Sequence, residues 1–302
     1  MSSVPQLPFL SRLPYKDNPT ETNLNSSATN PFKGLPGETG TLATASTISK
    51  FALLQAYPQY SSINQQLVPG ASANFNELAV RVQKRMSHGL TVNFNYQYSR
   101  NLQAQQINSG GPLSYQENAS DFPNHVSLAG SYQLPIGRGH AILGNANGIV
   151  NSLLGGWTFN PIYTYLSGAA IQWGGPGGSG QPYFANGTAW DPRLRVSPRN
   201  VKAAVNTTLF AATTLQPDNF NYRTFPLFYG RQDVVNNLNA SLLKDFAFGE
   251  RVKLQYRFET FNTLNHTQFG APNVTPSSSS LGQISSQQNT PRVIQQGLRL
   301  VF

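Results

Sequence analysis

The sequence predicts an all-β protein, an antiparallel up-and-down meander forming part of a transmembrane β-barrel with long extracellular loops. Three observations predict it. First, the last residues, RVIQQGLRLVF, alternate strictly: Ile294, Gln296, Leu298, Leu300 and Phe302 share one face, and Val293, Gln295, Gly297, Arg299 and Val301 the other. Period two marks a strand with a different solvent on each side, and roughly ten residues is what a tilted strand needs to cross a bilayer core. Second, the same alternation recurs in six earlier segments. Third, the connections run short, long, medium, very long, short, long, and outer-membrane barrels place short turns on the periplasmic side and long loops outside.

Residues 1–73 are rich in Pro, Asn, Ser and Thr and show little periodicity. They read as an irregular, loop-rich segment, an extracellular loop of the parent barrel. Within it, 47–56 fits a short helix or a short strand, and both stay open. Residues 74–302 carry the barrel strands, at about 74–86, 90–100, 124–135, 156–167, 234–246, 251–264 and 291–302.

In the first strand Leu78, Val80 and Val82 alternate with Ala79, Arg81 and Gln83. A short turn at 87–89 leads to the clearest strand, in which Leu90, Val92, Phe94, Tyr96 and Tyr98 oppose Thr91, Asn93, Asn95, Gln97 and Ser99. After a loop rich in Gln, Gly and Asn, Val126, Leu128, Tyr132 and Leu134 alternate with His125, Ser127, Ser131 and Gln133. The medium connection 135–156 leads to a strand with Trp157, Phe159, Tyr163 and Tyr165 on one face. Pro161 shares that face and must cost its strand a ladder hydrogen bond.

The very long segment 168–233 holds a glycine run at 174–180 and two weakly ordered pieces, 205–212 and 225–229. Leu238, Ala240 and Leu242 then mark the next strand, and a tight turn at 248–250 follows. In the sixth strand Val252, Leu254, Tyr256 and Phe258 oppose Lys253, Gln255, Arg257 and Glu259. A loop rich in Ser, Asn and Pro leads to the closing strand. Leu90, Val92, Phe94, Tyr96, Tyr98, Trp157, Phe159, Leu254, Tyr256 and Phe258 are thus the expected lipid-facing row. Arg81, Lys253, Arg257, Glu259 and Arg299 are expected on the lumenal face, against a plug or an anionic solute.

Composition narrows the function. Aromatic residues at 11% are too many for a disordered chain. No run of 18 apolar residues is present, which excludes a helical span and leaves barrel strands open. The absence of cysteine rules out a disulfide framework, a thiolate metal site and a Cys nucleophile. Lys and Arg number 21 against 12 Asp and Glu, but they occur singly or in short groups such as Lys84-Arg85. Nucleic acid is therefore not an expected partner. The opening residues lack the basic and apolar regions of a signal peptide, and seven is an odd number for a closed bacterial barrel. Both lead to the expectation that the chain is the C-terminal part of a longer one.

Candidate catalytic groups are few. His88, His125, His140 and His266 lack metal-ligand spacing. A hydrolytic site would need a Ser or Asp beside a His, which here means His266 with a serine of 277–280 or with Asp245. Asp191, Asp218 and Asp233 lack the dense spacing of a calcium loop. The glycine run has no Lys-Ser/Thr after it to make a phosphate cradle. No enzyme activity and no cofactor is expected.

The terminal strand with Ile294, Leu298, Leu300 and Phe302 resembles the C-terminal assembly signal of bacterial outer-membrane barrels, which is read by the barrel-assembly machinery. More widely, NPFKGLP (30–36), LLQAYPQYSS (53–62), residues 75–102, DFPNHVSLAGSYQLPIGRG (121–139), LLGGWTFNPIYTYLSG (153–168), residues 236–273 and residues 282–302 resemble the C-terminal barrel region of TonB-dependent transporters of the Oar-like group. The resemblance implies a wide outer-membrane barrel of about 22 strands filled by a plug domain. It also implies energy supplied by TonB through an N-terminal box, with outer-membrane lipid, the plug and further strands as partners, and an unknown transported ligand. Signal peptide, TonB box, plug and most strands have no counterpart in these residues. A small self-contained pore or adhesin barrel, and a soluble all-β binding protein, remain the alternatives.

Overall fold

The structure, a computed structural model, describes residues 2–4, 11–60, 63–65, 72–106, 113–175, 180–210, 220–249 and 252–302. The first part carries β1 (Ser2–Val4), α1 (Asn18–Asn25), β2 (Ser27–Thr29), α2 (Gly40–Thr44), β3 (Thr47–Ser49), α3 (Lys50–Leu54) and β4 (Ile63–Gln65). Next come β5 (Ala73–Ser87), β6 (Leu90–Gln106), β7 (Leu113–Glu117), β8 (Asn124–Gln133), α4 (Gly148–Leu154), β9 (Trp157–Leu166) and β10 (Ala170–Gln172). The chain ends with β11 (Phe228–Arg231), β12 (Val235–Phe248), β13 (Val252–Phe261) and β14 (Val293–Val301).

One antiparallel sheet dominates, with strands side by side in the order β14, β13, β12, β9, β8, β6, β5. Each strand pairs with its predecessor in the meander. The hairpin between β5 and β6 turns through His88 at φ 52° and Gly89 at φ 74°. Left-handed backbone at both central residues makes a turn whose twist matches the strands it joins. Pro161 acts as its chemistry demands. Between β8 and β9 the partners run from Ala129 opposite Ile162 directly to Tyr132 opposite Phe159, so the ladder skips the proline, which has no N–H to give.

The sequence missed β7. It pairs with the outer extension of β6, Leu102 opposite Glu117 through Gln106 opposite Leu113, on the edge that β8 occupies lower down. The connection at 135–156 likewise holds α4. The turn at 248–250 is described only through Gly249, and Glu250 and Arg251 lie outside the described residues.

Two expectations are corrected. The segment expected to be irregular carries three short helices and the paired strands β2 and β3. The stretch at 47–56 is strand and helix in succession, β3 then α3, with the Ser49 side chain accepting from Ala52 N to cap the helix. The segment 168–233, expected to hold a glycine run and two weakly ordered pieces, supplies most of the hydrophobic core. Ile171, Trp173, Phe184, Leu194, Val205, Leu209, Phe210 and Phe225 are buried together with Leu281. The reason is aromatic content: Trp173 and Phe225 lie 5.2 Å apart, Phe184 and Phe210 5.1 Å, and Trp190 meets Tyr229 edge-on at 4.5 Å. Such pairs repay the ordering of a loop that has little regular structure. The described parts of the glycine run flank this core, while 176–179, 211–212 and Asp218 lie outside the described residues.

The sheet does not close. No ladder joins β5 to β14 among the described residues, and every position of β5 is exposed, on both of its faces. In β14 only Gly297 is partly covered.

Candidate functional site

Ladder partners in an antiparallel sheet stand on the same face, so the register assigns every strand residue a side. Val82 pairs with Phe94, Phe94 with Leu128, Leu128 with Tyr163 and Tyr163 with Leu238. Leu242 pairs with both Phe159 and Phe258, and Tyr256 with Leu298. The ten residues of the expected apolar row, from Leu90 to Phe258, therefore stand on one continuous face. Ile294, Leu298 and Leu300 join it opposite Thr260, Tyr256 and Leu254. Phe302, just beyond the last strand, is 94% exposed.

Aromatic side chains cluster at the two ends of that face. Tyr96, Tyr98, Tyr163 and Tyr165 lie toward the long loops, and Tyr132, Trp157, Phe159 and Tyr256 toward the short turns. Trp157 and Tyr165 are eight residues apart, about 26 Å along the strand, or about 20 Å of height at a barrel strand's tilt, within the apolar band of such a wall. Trp157 meets Tyr256 edge-on with centroids 6.0 Å apart.

Between those two rings runs a residue that sequence reasoning passed over. Lys244 pairs with Trp157 and Tyr256 on the apolar face and is only 4% exposed. Its Nζ donates to Gly155 O and lies 5.6 Å from the Trp157 ring and 5.0 Å from that of Phe246. The signal was present, because the alternation of Leu238, Ala240 and Leu242 arrives at Lys244 next.

The opposite face is polar. Arg81 pairs with Asn95, Asn95 with Ser127, Gln255 with Arg299, and Ser241 with Glu259. Lys253 and Arg257 alternate with Gln255 on that side. The five expected charges thus share the face opposite the apolar row, and none of them is in an ion pair among the described residues. Lys253, Arg257 and Arg299 gather on the last hairpin.

At the long-loop end this face runs into a hollow of ≈ 290 Å³ lined by Asn237, Asn239, Phe261, Gln268, Asn289 and Thr290. The sequence reading missed it, because its walls come from three segments. Asn262 holds it in shape. At φ 49° it leaves β13, its N–H donates to Asn239 Oδ1 at 3.0 Å, and its Nδ2 donates to His266 O and Thr290 O. Neutral amides beside one ring offer paired donors and acceptors to an uncharged polar molecule.

Two ionic clusters clamp the loops to the rim. Asp121, fully buried, accepts from Asn101 N at 2.6 Å and pairs with Arg231 at 2.6 Å and Arg100 at 3.4 Å, while Glu117 pairs with the same two arginines. Asp233 takes Arg199 at 2.9 Å and Phe269 N at 3.0 Å. Arg199 also reaches His266 Nε2 at 3.2 Å. His266 thus meets an arginine, Asp245 accepts from Gln255 Nε2 at 3.0 Å, and among the described residues no hydrogen bond joins His266 to Asp245 or to a serine of 277–280. In the loop core, Arg223 donates to the carbonyls of Gly175, Pro226 and Trp173, and burial pushes its guanidinium down to about 10. Hydrogen bonding from Arg193 holds the Asp191 carboxyl below its ordinary value.

An antiparallel meander with one apolar and one polar face, aromatic rows at both margins, short turns at one end and folded loops at the other is the wall of an outer-membrane β-barrel. The model of the family described as outer membrane beta barrel domain matches residues 14–295. The chain belongs to that family, whose members reside in the outer membrane of Gram-negative bacteria. No curated protein and no solved structure is found to match it.

Proposed function

We propose that this chain forms the C-terminal wall of a TonB-dependent outer-membrane transporter of the Oar-like group. The observation that carries the proposal is the seven-strand meander with two chemically opposite faces and two bare edges, β5 and β14. Bare edges inside a bilayer leave backbone groups without partners, so further strands complete the wall. The apolar row faces lipid. Lys253, Arg257 and Arg299 face inward, where acidic groups of a plug or an anionic solute meet them. The folded loops and the amide-lined hollow stand where an arriving ligand is selected. The chain acts as wall and receptor surface rather than as an enzyme, and it draws on TonB only through an N-terminal region beyond these residues.

The in-frame DNA upstream of Met1 tests this directly. Continuation into a plug domain and an export signal is the expected result. A stop codon immediately upstream overturns it in favour of a small pore or adhesin barrel closed by oligomerisation. Family membership has already set aside the soluble binding protein.

A further inference from the structure

At the short-turn end of the wall, residues 134–156 fold back on themselves rather than trailing free. Gly137 N bonds to Ile142 O at 2.8 Å, and Arg138 N donates to Asn151 Oδ1 at 2.7 Å. The Asn147 side chain caps α4 through Val150 N at 2.9 Å. With Asn147 and Asn151 used internally, this segment turns its apolar side chains outward. Ile149 is 75% exposed, Leu153 58%, Leu154 50% and Ile142 52%. Ile149 and Leu153, four residues apart, are neighbours on one side of the helix, and Leu154 widens that side to an arc of about 140°.

Two contacts fix where the end of the helix lies. Trp157 Nε1 donates to Leu153 O at 3.1 Å, and Lys244 Nζ donates to Gly155 O. Both donors belong to the apolar face of the sheet, so the end of α4 is tied to the lipid side of the wall and not to its polar side. The segment has no carboxylate, while Arg138 and His140 are in it. An apolar helix face with tryptophan at its root and an arginine beside it matches a helix lying in a membrane interface.

We propose that α4 is an interfacial foot of the barrel, with Ile149, Leu153 and Leu154 seated among phospholipids of the periplasmic leaflet and Arg138 at their phosphates. The proposal rests on the outer-membrane location and goes beyond the transport reading, because any barrel function is compatible with it. The foot continues the lipid-facing surface sideways, and it holds the lower aromatic row through Trp157.

The chain has no cysteine, so single cysteines label cleanly. Ile149→Cys, Leu153→Cys, Asn145→Cys and Leu128→Cys are made in the full chain and labelled with an environment-sensitive fluorophore. Each is reconstituted in phosphatidylethanolamine–phosphatidylglycerol vesicles, with or without a nitroxide on the lipid acyl chain near the headgroup. The label at 149 and 153 is expected to emit to the blue of that at 145 and to lose its emission severalfold to the nitroxide. Emission matching position 145 without quenching overturns the proposal, and so does blue emission without quenching, which gives the face to a protein neighbour. Leu128→Cys separates the two readings, because quenching there with none at 149 and 153 removes the foot alone. If position 128 is also unquenched, the wall is not in lipid and the foot falls with it.

Discussion

Arg231 and Asp121, 110 positions apart in the chain, meet at 2.6 Å, and the Arg231 guanidinium also takes the main-chain oxygen of Asp121 at 2.7 Å. One residue of β11 thereby ties the folded loop 168–233 to the rim between β7 and β8. Arg100 and Glu117 complete a four-membered cluster around a carboxylate that has no access to water.

Asp121→Ala removes the shared acceptor of two guanidiniums. Charged hydrogen bonds of this kind are each worth about 1.5–3 kcal/mol. The arginine side chains are 37% and 26% exposed, so solvent screening lowers the expected loss to about 1–3 kcal/mol in all. Because the cluster joins loops and not strands, the wall should keep its heat-modifiable mobility on gels while proteases cut within 113–123 and 168–233. A digest identical to that of the parent protein rules out the clamp.

Local alternation made the wall legible. In 90–98 each side chain announces its face, and the ladder from Val82 through Phe94 and Leu128 to Tyr163 follows once neighbours are paired in chain order. Asp121 and Arg231 carried no such signal, because an ion pair between distant loops has no periodicity. The loop core was hidden for the same reason: Trp173, Phe184 and Phe225 are scattered singly among glycines and prolines. Nor does Asn262 look unusual in sequence, although its left-handed backbone shapes the amide-lined hollow.

Leu128 stands mid-strand in β8 on the apolar face, level with Phe94 and Tyr163, and its neighbour Ser127 faces the other way. Leu128→Arg puts a cation near the middle of the lipid-facing side, at a cost of about 2–4 kcal/mol. Ser127→Arg, on the polar face, should change stability far less. Urea unfolding from vesicles compares them directly, and equal losses for the two substitutions remove the assignment of faces.

Gly168 follows β9, where the chain leaves the wall. A Cβ there would land on the carbonyl oxygen of Gln232, with Asp233 O 3.1 Å away. Both obstacles are backbone, so no rotamer change relieves them, and Gly168→Ala should cost about 1–3 kcal/mol. The displaced segment includes Arg231 and Asp233, so both ionic clusters should loosen together, read as faster proteolysis of the loops. Unchanged protease resistance contradicts the close approach.

Asp191 gives the loop core a dependence on acid. The Arg193 side chain donates to both its carboxylate oxygens, and Arg193 N donates at 2.9 Å, which lowers its pKa from the ordinary 3.8. Unfolded Asp191 keeps the ordinary value and so binds a proton first as pH falls. The stabilisation is therefore complete above 3.8 and is lost as pH drops through the depressed folded value. The turn it supports seats Leu194, fully buried, through Leu194 N to Asp191 O at 3.1 Å. Fluorescence of Trp173 and Trp190, followed from about pH 5 to about pH 2, should show a transition in the parent protein that Asp191→Asn lacks. A transition of the same size and midpoint in both proteins places the acid sensitivity elsewhere.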